Sequence, residues 1–272
     1  MGSSNSQSTY AQLLFQGWRV YVCVALMLGL SGCASMDSLF STQETSETRS
    51  AEIETDQQDS AATNEPEVVP LDPMQAKLLA LRSQPNLYLS GSTPVTAAVK
   101  YQFDQALAAK RSGNLKLAEQ LLQALIVEEP SLSGPWVQLG DLNMQQFADS
   151  KNTDLQQKQA YLVAAKDDYQ KALSLNQHNY FAHNRLAKVF REMGEFKQAE
   201  QHYLYAIQSY PAYDNAYLNL GILYDLYLDK KQLALENYEL YQAFQNKPKR
   251  QVRGWIADLK RQLAKTQNGV NQ

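Results

Sequence analysis

An all-α fold, a solenoid of stacked helical hairpins, is what this chain predicts from three observations. Leucines and small residues recur at a spacing of 34 residues, as from Leu186 to Leu220 and from Ala165 to Ala199, and a fixed period of this length is the signature of a solenoid. Glycines stand midway through two of the units, at Gly113 and Gly194, where glycine can take the left-handed conformation that ends a helix. Prolines close units at Pro130 and Pro211, because proline cannot continue a helix.

Each unit reads as two helices. The first carries a leucine followed by a small residue, as in Trp136-x2-Leu139-Gly140 and Tyr217-x2-Leu220-Gly221-x2-Tyr224. The second reads Ala118-x3-Leu122, Ala165-x3-Tyr169-x2-Ala172 and Ala199-x3-Tyr203-x2-Ala206. The small residue (Ala106, Gly140, Ala187, Gly221) lets the two helices approach closely, and the large residues fill the gap that remains. These motifs resemble the tetratricopeptide repeat (TPR), a resemblance that implies a right-handed superhelix, and four units follow, over 96–130, 133–177, 180–212 and 214–246, together 96–246. Four are enough to bury a continuous core, since three or more are normally needed.

One irregularity interrupts the period. Leu139 to Leu186 and Ala118 to Ala165 are both 47 residues, so thirteen extra residues lie near 147–159. With Asp149, Ser150, Asn152 and Asp154 as the turn, both helices of the second unit should run about two turns longer than their neighbours and protrude. Before the repeats, Asp72-Pro73 is an N-cap followed by proline at the first helical position. A short helix to about Ser83 and a linker are expected over 73–95. After them, Val252, Trp255, Ile256, Leu259 and Leu263 recur at helical spacing, predicting an amphipathic capping helix over 247–265 and a tail at 266–272.

The N-terminus carries an address. Arg19 precedes an eleven-residue apolar run from Val20 to Leu30, the form of a cleaved secretory signal and shorter than the ~20 residues that span a bilayer. Leu30-Ser31-Gly32-Cys33 matches the bacterial lipobox at all four positions. That resemblance implies a signal peptide at 1–32, lipid on Cys33 as the first mature residue, and, with Ala34 where an inner-membrane retention aspartate would stand, the periplasmic face of the outer membrane. The other cysteine, Cys23, leaves with the signal, so no disulfide forms within the mature chain.

From Ser41 to Asp72 nine acidic residues meet one basic. This stretch has almost nothing apolar to offset the entropy of ordering, so 33–72 reads as an acidic disordered tether with a root-mean-square reach of roughly 35 Å. The remaining 200 residues carry 23 basic and 18 acidic side chains, so the body is mildly basic.

No catalytic constellation is present. The three histidines (His178, His183, His202) have neither metal-ligand spacing nor a nucleophile partner, and there is no Gly-rich phosphate loop. A non-enzyme without metal or cofactor is therefore expected. Repeats of this class bind peptides or partner domains in the groove lined by their first helices. The positions expected there are Gln138 and Asp141 in the second unit, Arg185, Lys188 and Arg191 in the third, and Asn219 and Asp225 in the fourth. A basic third unit suits an acidic segment or a C-terminal carboxylate. The dicarboxylate clamp of chaperone-binding TPR domains is not matched, since Phe103 and Leu107 stand where it needs Lys and Asn. From Lys247 to Lys265 seven basic residues face one acidic, Asp258, and this helix suits an anionic partner; export removes nucleic acid from consideration.

The runs Tyr217-Leu-Asn-Leu-Gly-Ile-Leu-Tyr-Asp-Leu-Tyr-Leu228, Asn179-Tyr-Phe-Ala-His-Asn184 and Gln251-Val-Arg-Gly-Trp-Ile-Ala-Asp-Leu259 resemble TPR proteins of marine gammaproteobacteria assigned to TonB-type energy-transduction systems. The likeness covers about residues 96–265 and implies a periplasmic adaptor lipoprotein whose groove holds a protein partner of an envelope machine. A pilus, secretin or outer-membrane protein assembly factor, or a regulator of a peptidoglycan enzyme, is the alternative.

Overall fold

A computed structural model gives the protein's structure and describes residues 71–90, 94–150 and 154–270, with side chains as far as 267. The signal at 1–32, Cys33, the tether as far as Pro70 and the end of the tail lie outside the described residues, as does Asn152. Eleven helices and no strand occur among the described residues. α1 (Pro73–Ser83) and α2 (Leu87–Ser90) precede four hairpins: α3 (Ala97–Arg111) with α4 (Leu115–Glu128), α5 (Ser133–Asp149) with α6 (Leu155–Leu175), α7 (Tyr180–Glu192) with α8 (Phe196–Ser209), and α9 (Asp214–Leu226) with α10 (Lys231–Phe244). α11 (Arg250–Val270) follows. None of these helices is long and apolar enough to cross a membrane.

Helices start where a short polar side chain can accept from the unpaired amides of a first turn. Asp72, Thr96, Asn114, Asp154 and Asn179 each cap in this way. Asn179 does more, since it is buried and donates its amide to Ser133 Oγ at 3.0 Å, tying the start of α7 to the start of α5.

The turns within the hairpins follow the glycines for two of the units. Gly113 and Gly194 have φ of 80° and 79°. The fourth hairpin has no glycine at its turn and is one residue longer, Ala199 to Ala234 being 35 residues. There Asp229 takes the left-handed conformation, at φ 50°, which aspartate tolerates because its short side chain can bond locally.

The insertion in the second hairpin is shared unevenly. α6 has 21 residues and α5 has 17, against 13 to 15 in α3, α4, α7 and α8. It lengthens α6 by about two turns and α5 by about one, rather than both by two. The C-terminal helix also departs from its expected limits: it begins at Arg250, past Pro248, and runs to Val270, beyond Lys265.

One apolar cluster runs from α5 to α11 and includes Tyr169, Tyr203, Tyr238, Val252 and Leu259; the first hairpin has its own, built on Ala106, Ala118 and Leu122 with Leu142. Trp255 of α11 lies 5.2 Å from the Tyr238 ring, which closes the last repeat against solvent. The segment before the repeats crosses back over them. α1 buries Leu78 and sets Arg82 over Phe244 at 5.6 Å, against the fourth hairpin, while Tyr88 of α2 reaches the start of α7.

Successive first helices touch, α5 with α7 and α7 with α9, whereas successive second helices do not approach as closely. The stack therefore bends toward α5, α7 and α9, whose free faces form its inner, concave wall.

Candidate functional site

A cleft of about 390 Å³ opens on that inner wall across the second to fourth hairpins, lined among others by Asp141, Asn184, Arg185, Lys188, Tyr213 and Asn219. Asp141 organises it. Its carboxylate accepts from Arg185 Nε at 2.5 Å, from the Tyr169 hydroxyl at 2.9 Å and from Lys110 Nζ at 3.2 Å. Gln138 Oε1 accepts from the same lysine at 2.7 Å. The Asp141 side chain is only 16% exposed, so this shared anion holds repeats one, two and three in register through partly desolvated, charge-assisted bonds.

The local charge does not balance. Lys110, Arg185 and Lys188 are three cations around one carboxylate, and Lys188 stands exposed with no ion pair to a neighbour within the described chain. Partial loss of hydration, then the Arg191 and Arg185 charges, lower the Lys188 pKa. For Arg185, burial works against the charged form, but the Asp141 carboxylate outweighs it and the net shift is upward.

Amides line the other side. Asn184 donates to the Tyr213 hydroxyl at 3.3 Å and accepts from Asn219 Nδ2 at 3.0 Å, and Asn215 completes this wall. Asn184 occupies the register that Val137 and Leu218 fill in the neighbouring repeats, 47 residues before and 34 after. A buried amide in an otherwise apolar slot was the signal that could have marked it, together with Tyr213 beside it.

Of the groove positions expected from the sequence, Asp141, Arg185, Lys188 and Asn219 line the cleft together, and Gln138 joins through Lys110. Two stand elsewhere. Arg191 lies at the end of α7, its guanidinium over the Tyr227 ring at 5.7 Å and bonded to Glu192 at 3.2 Å. Asp225 accepts from the Tyr238 hydroxyl at 3.3 Å near the end of α9. Both serve packing between helices. In the C-terminal helix, Lys260 pairs with Glu239 and Arg261 with Asp258, while Arg250, Arg253 and Lys265 point to solvent.

The histidines that spacing left apart do meet in one place. His183 Nδ1 and His202 Nδ1 are 2.9 Å apart, and His183 Nε2 lies 2.9 Å from the Gln177 carbonyl. A carbonyl only accepts, so His183 carries its proton on Nε2, and His202 donates from Nδ1 to the lone pair left on His183. Among the described residues no group of three or more His, Cys, Asp or Glu could hold a metal ion.

Comparison with known proteins gives the fold its name. No family model and no curated protein matches the chain. Among solved structures it is similar to Pseudomonas aeruginosa PilF, at 22% identity over 62% of this chain and 70% of that one, with a TM-score of 0.52. It is similar also to a thermophilic TPR protein of Thermus thermophilus, at 17% identity over 68% of this chain and 90% of that one, again with a TM-score of 0.52. The fold is a TPR solenoid. Identities this low speak to the fold alone, and in this TPR solenoid the cleft around Asp141 lies on the wall formed by the first helices of the repeats.

Proposed function

We propose that this protein is a non-enzymatic periplasmic adaptor, anchored to the outer membrane by lipid on Cys33, which holds a protein partner of an envelope machine in its TPR groove. The machine we favour is TonB-type energy transduction, on the resemblance of residues 96–265. The observation that carries the binding reading is the charge imbalance of the cleft, three cations around one carboxylate beside a wall of amides. An acidic or carboxylate-ended segment supplies the missing negative charge, and the amides can bond its backbone. The lipobox supports the address, and the acidic stretch before Pro73 supports a domain standing clear of the lipid.

A photo-crosslinking amino acid at Asn215, expressed in living cells, tests the reading. The expected product is a cross-link to an energy-transducing envelope component that disappears in Lys188→Glu. Recovery of a pilus-assembly factor or a wall hydrolase instead would reassign the machine, and recovery of no protein would overturn the adaptor. Labelled palmitate should enter the wild type and not Cys33→Ser; equal labelling of the two would overturn the anchor.

A further inference from the structure

The cleft has a neighbour that the chain fills with its own side chain. Tyr180, Phe181, Tyr210 and Tyr213 form an aromatic box at the start of α7, with ring centroids 4.1 to 5.6 Å apart. Tyr88 packs edge-on against its Tyr180 and Phe181 side, with ring centroids 5.9 Å from Tyr180 and 6.4 Å from Phe181 at interplanar angles of 88° and 89°. The box and the cleft are continuous. Arg185 lies over the Phe181 ring at 5.6 Å, and Tyr213 belongs to both.

Tyr88 is held lightly for an aromatic residue. α2 has four residues, of which none is fully buried and Tyr88 is half-buried, and its two hydrogen bonds with the repeats are long: the Tyr88 hydroxyl lies 3.4 Å from Ser133 Oγ, and the Tyr88 carbonyl accepts from Asn176 Nδ2 at 3.5 Å. Phe181, at the rim of the box, stays 36% exposed. Tyr88 also borders a second cavity of about 390 Å³, lined among others by Val99, Phe103, Leu125 and Pro135.

We infer that the aromatic box is a binding subsite for an aromatic side chain of the partner, occupied in the free protein by Tyr88. This deepens the adaptor reading and rests on it. The spacing sets the ligand. Phe181 and Lys188 are seven residues apart on one helix, roughly 10 Å, and a segment in polyproline-II conformation, rising ~3.1 Å per residue with three residues per turn, covers that distance in about three residues and returns to the same face. The partner segment therefore carries an aromatic residue and a carboxylate three positions apart, the ring in the box and the acid at Lys188 and Arg185. Tyr88 competes with it, so the apparent affinity falls by the fraction of molecules in which the box is open.

The probes are two fluorescein-labelled, C-terminally amidated peptides containing Phe-Ser-Gly-Asp and Asp-Gly-Ser-Phe, with controls in which Ala replaces Phe, titrated into the full chain by fluorescence anisotropy. Tyr88→Ala should tighten one Phe peptide by about five-fold or more and leave its Ala control unchanged, while Tyr88→Phe behaves as wild type. If Tyr88→Ala leaves Phe-peptide binding unchanged or weaker while Lys188→Glu still weakens it, the aromatic subsite is wrong and the groove reading stands. If no peptide binds any folded variant, both fall. Should Tyr88→Ala lose its helical circular dichroism, hydrogen exchange on the wild type decides. The amides of residues 87–90 must lose protection on adding the Phe peptide and not the Ala control, and equal protection refutes the subsite.

Discussion

Tyr169 donates its phenolic proton to Asp141 across the second hairpin, and its ring can lie there because residue 140 is glycine. A Cβ at Gly140 would sit 2.5 Å from Tyr169 Cε1. The fourth hairpin repeats the device: a Cβ at Gly221 would meet the Tyr238 ring at 2.7 Å, and Tyr238 donates to Asp225. In both places glycine is a spatial requirement of the ring opposite.

Gly140→Ala should therefore destabilise the protein although alanine is the better helix former. Overpacking costs about 1–3 kcal/mol, which exceeds the gain of about 1 kcal/mol from helix propensity. In a Tyr169→Leu background the clash is gone and the same substitution should be neutral or stabilising. Urea unfolding of the four members of this cycle measures the coupling; additive effects would show that the ring does not set the residue at 140.

Tyr203 holds the matching place in the third hairpin with a different outcome. Its side chain is fully buried, and its hydroxyl has no hydrogen-bond partner among the described residues. Tyr203→Phe removes an unsatisfied polar atom and should be neutral or stabilising by about 1 kcal/mol. Tyr169→Phe removes a donor to a carboxylate and should cost about 1–3 kcal/mol. Midpoints of denaturant unfolding for the pair give the comparison, and equal losses would contradict it.

These contrasts mark what the sequence could reveal. The leucine-small pairs, the turn glycines and the 34-residue period are local, each dictated by packing inside one hairpin, and they show the solenoid. Contacts between distant segments leave no periodic trace. Tyr88 and Asn176 are 88 residues apart, and nothing in the linker's composition announces that α2 folds onto the second and third repeats. Asp141 shows the same limit at the site: its position on the inner face was readable from register, but its engagement by Lys110, Arg185 and Tyr169 depends on three other helices. The turn at Asp229 was hidden because the fourth hairpin spends an extra residue where its neighbours use glycine.

Removal of Asp141 tests whether it holds the repeats together. Asp141→Ala leaves Lys110 and Arg185 facing each other without their shared anion and strands the Tyr169 hydroxyl. Because the site is partly solvated, the loss should be about 2 kcal/mol, below the 3–5 kcal/mol of a fully buried pair. Arg185→Ala should cost less, since Asp141 keeps Lys110 and Tyr169. A thermal scan in which Arg185→Ala proves the more damaging would reverse this order.

Acid should act on two groups in opposite directions. Burial, then the neighbouring His183, lowers the His202 pKa to about 4 from its ordinary 6.5, and burial lowers His183 too. Between pH 6.5 and 4 the unfolded chain binds more protons at His202 than the folded one, so its contribution to stability is lost as pH falls. A proton added to His183, whose one free lone pair is on Nδ1, would also set two N–H groups face to face across the 2.9 Å contact. Burial raises the Asp168 pKa to about 6 from 3.8, with Asn143 opposing and Asp167 and Glu119 adding. There the folded chain binds more protons between pH 3.8 and 6, so stability is lost as pH rises through that window. His202→Asn should flatten the acid side of the stability profile. Asp168→Asn should stabilise above about pH 6, by about 1 kcal/mol once solvent screening is allowed for, and should steepen the fall toward about pH 4. Urea unfolding at about pH 4.5, 6 and 7.5 separates the two, and parallel profiles for both variants and the wild type would remove each group from the account.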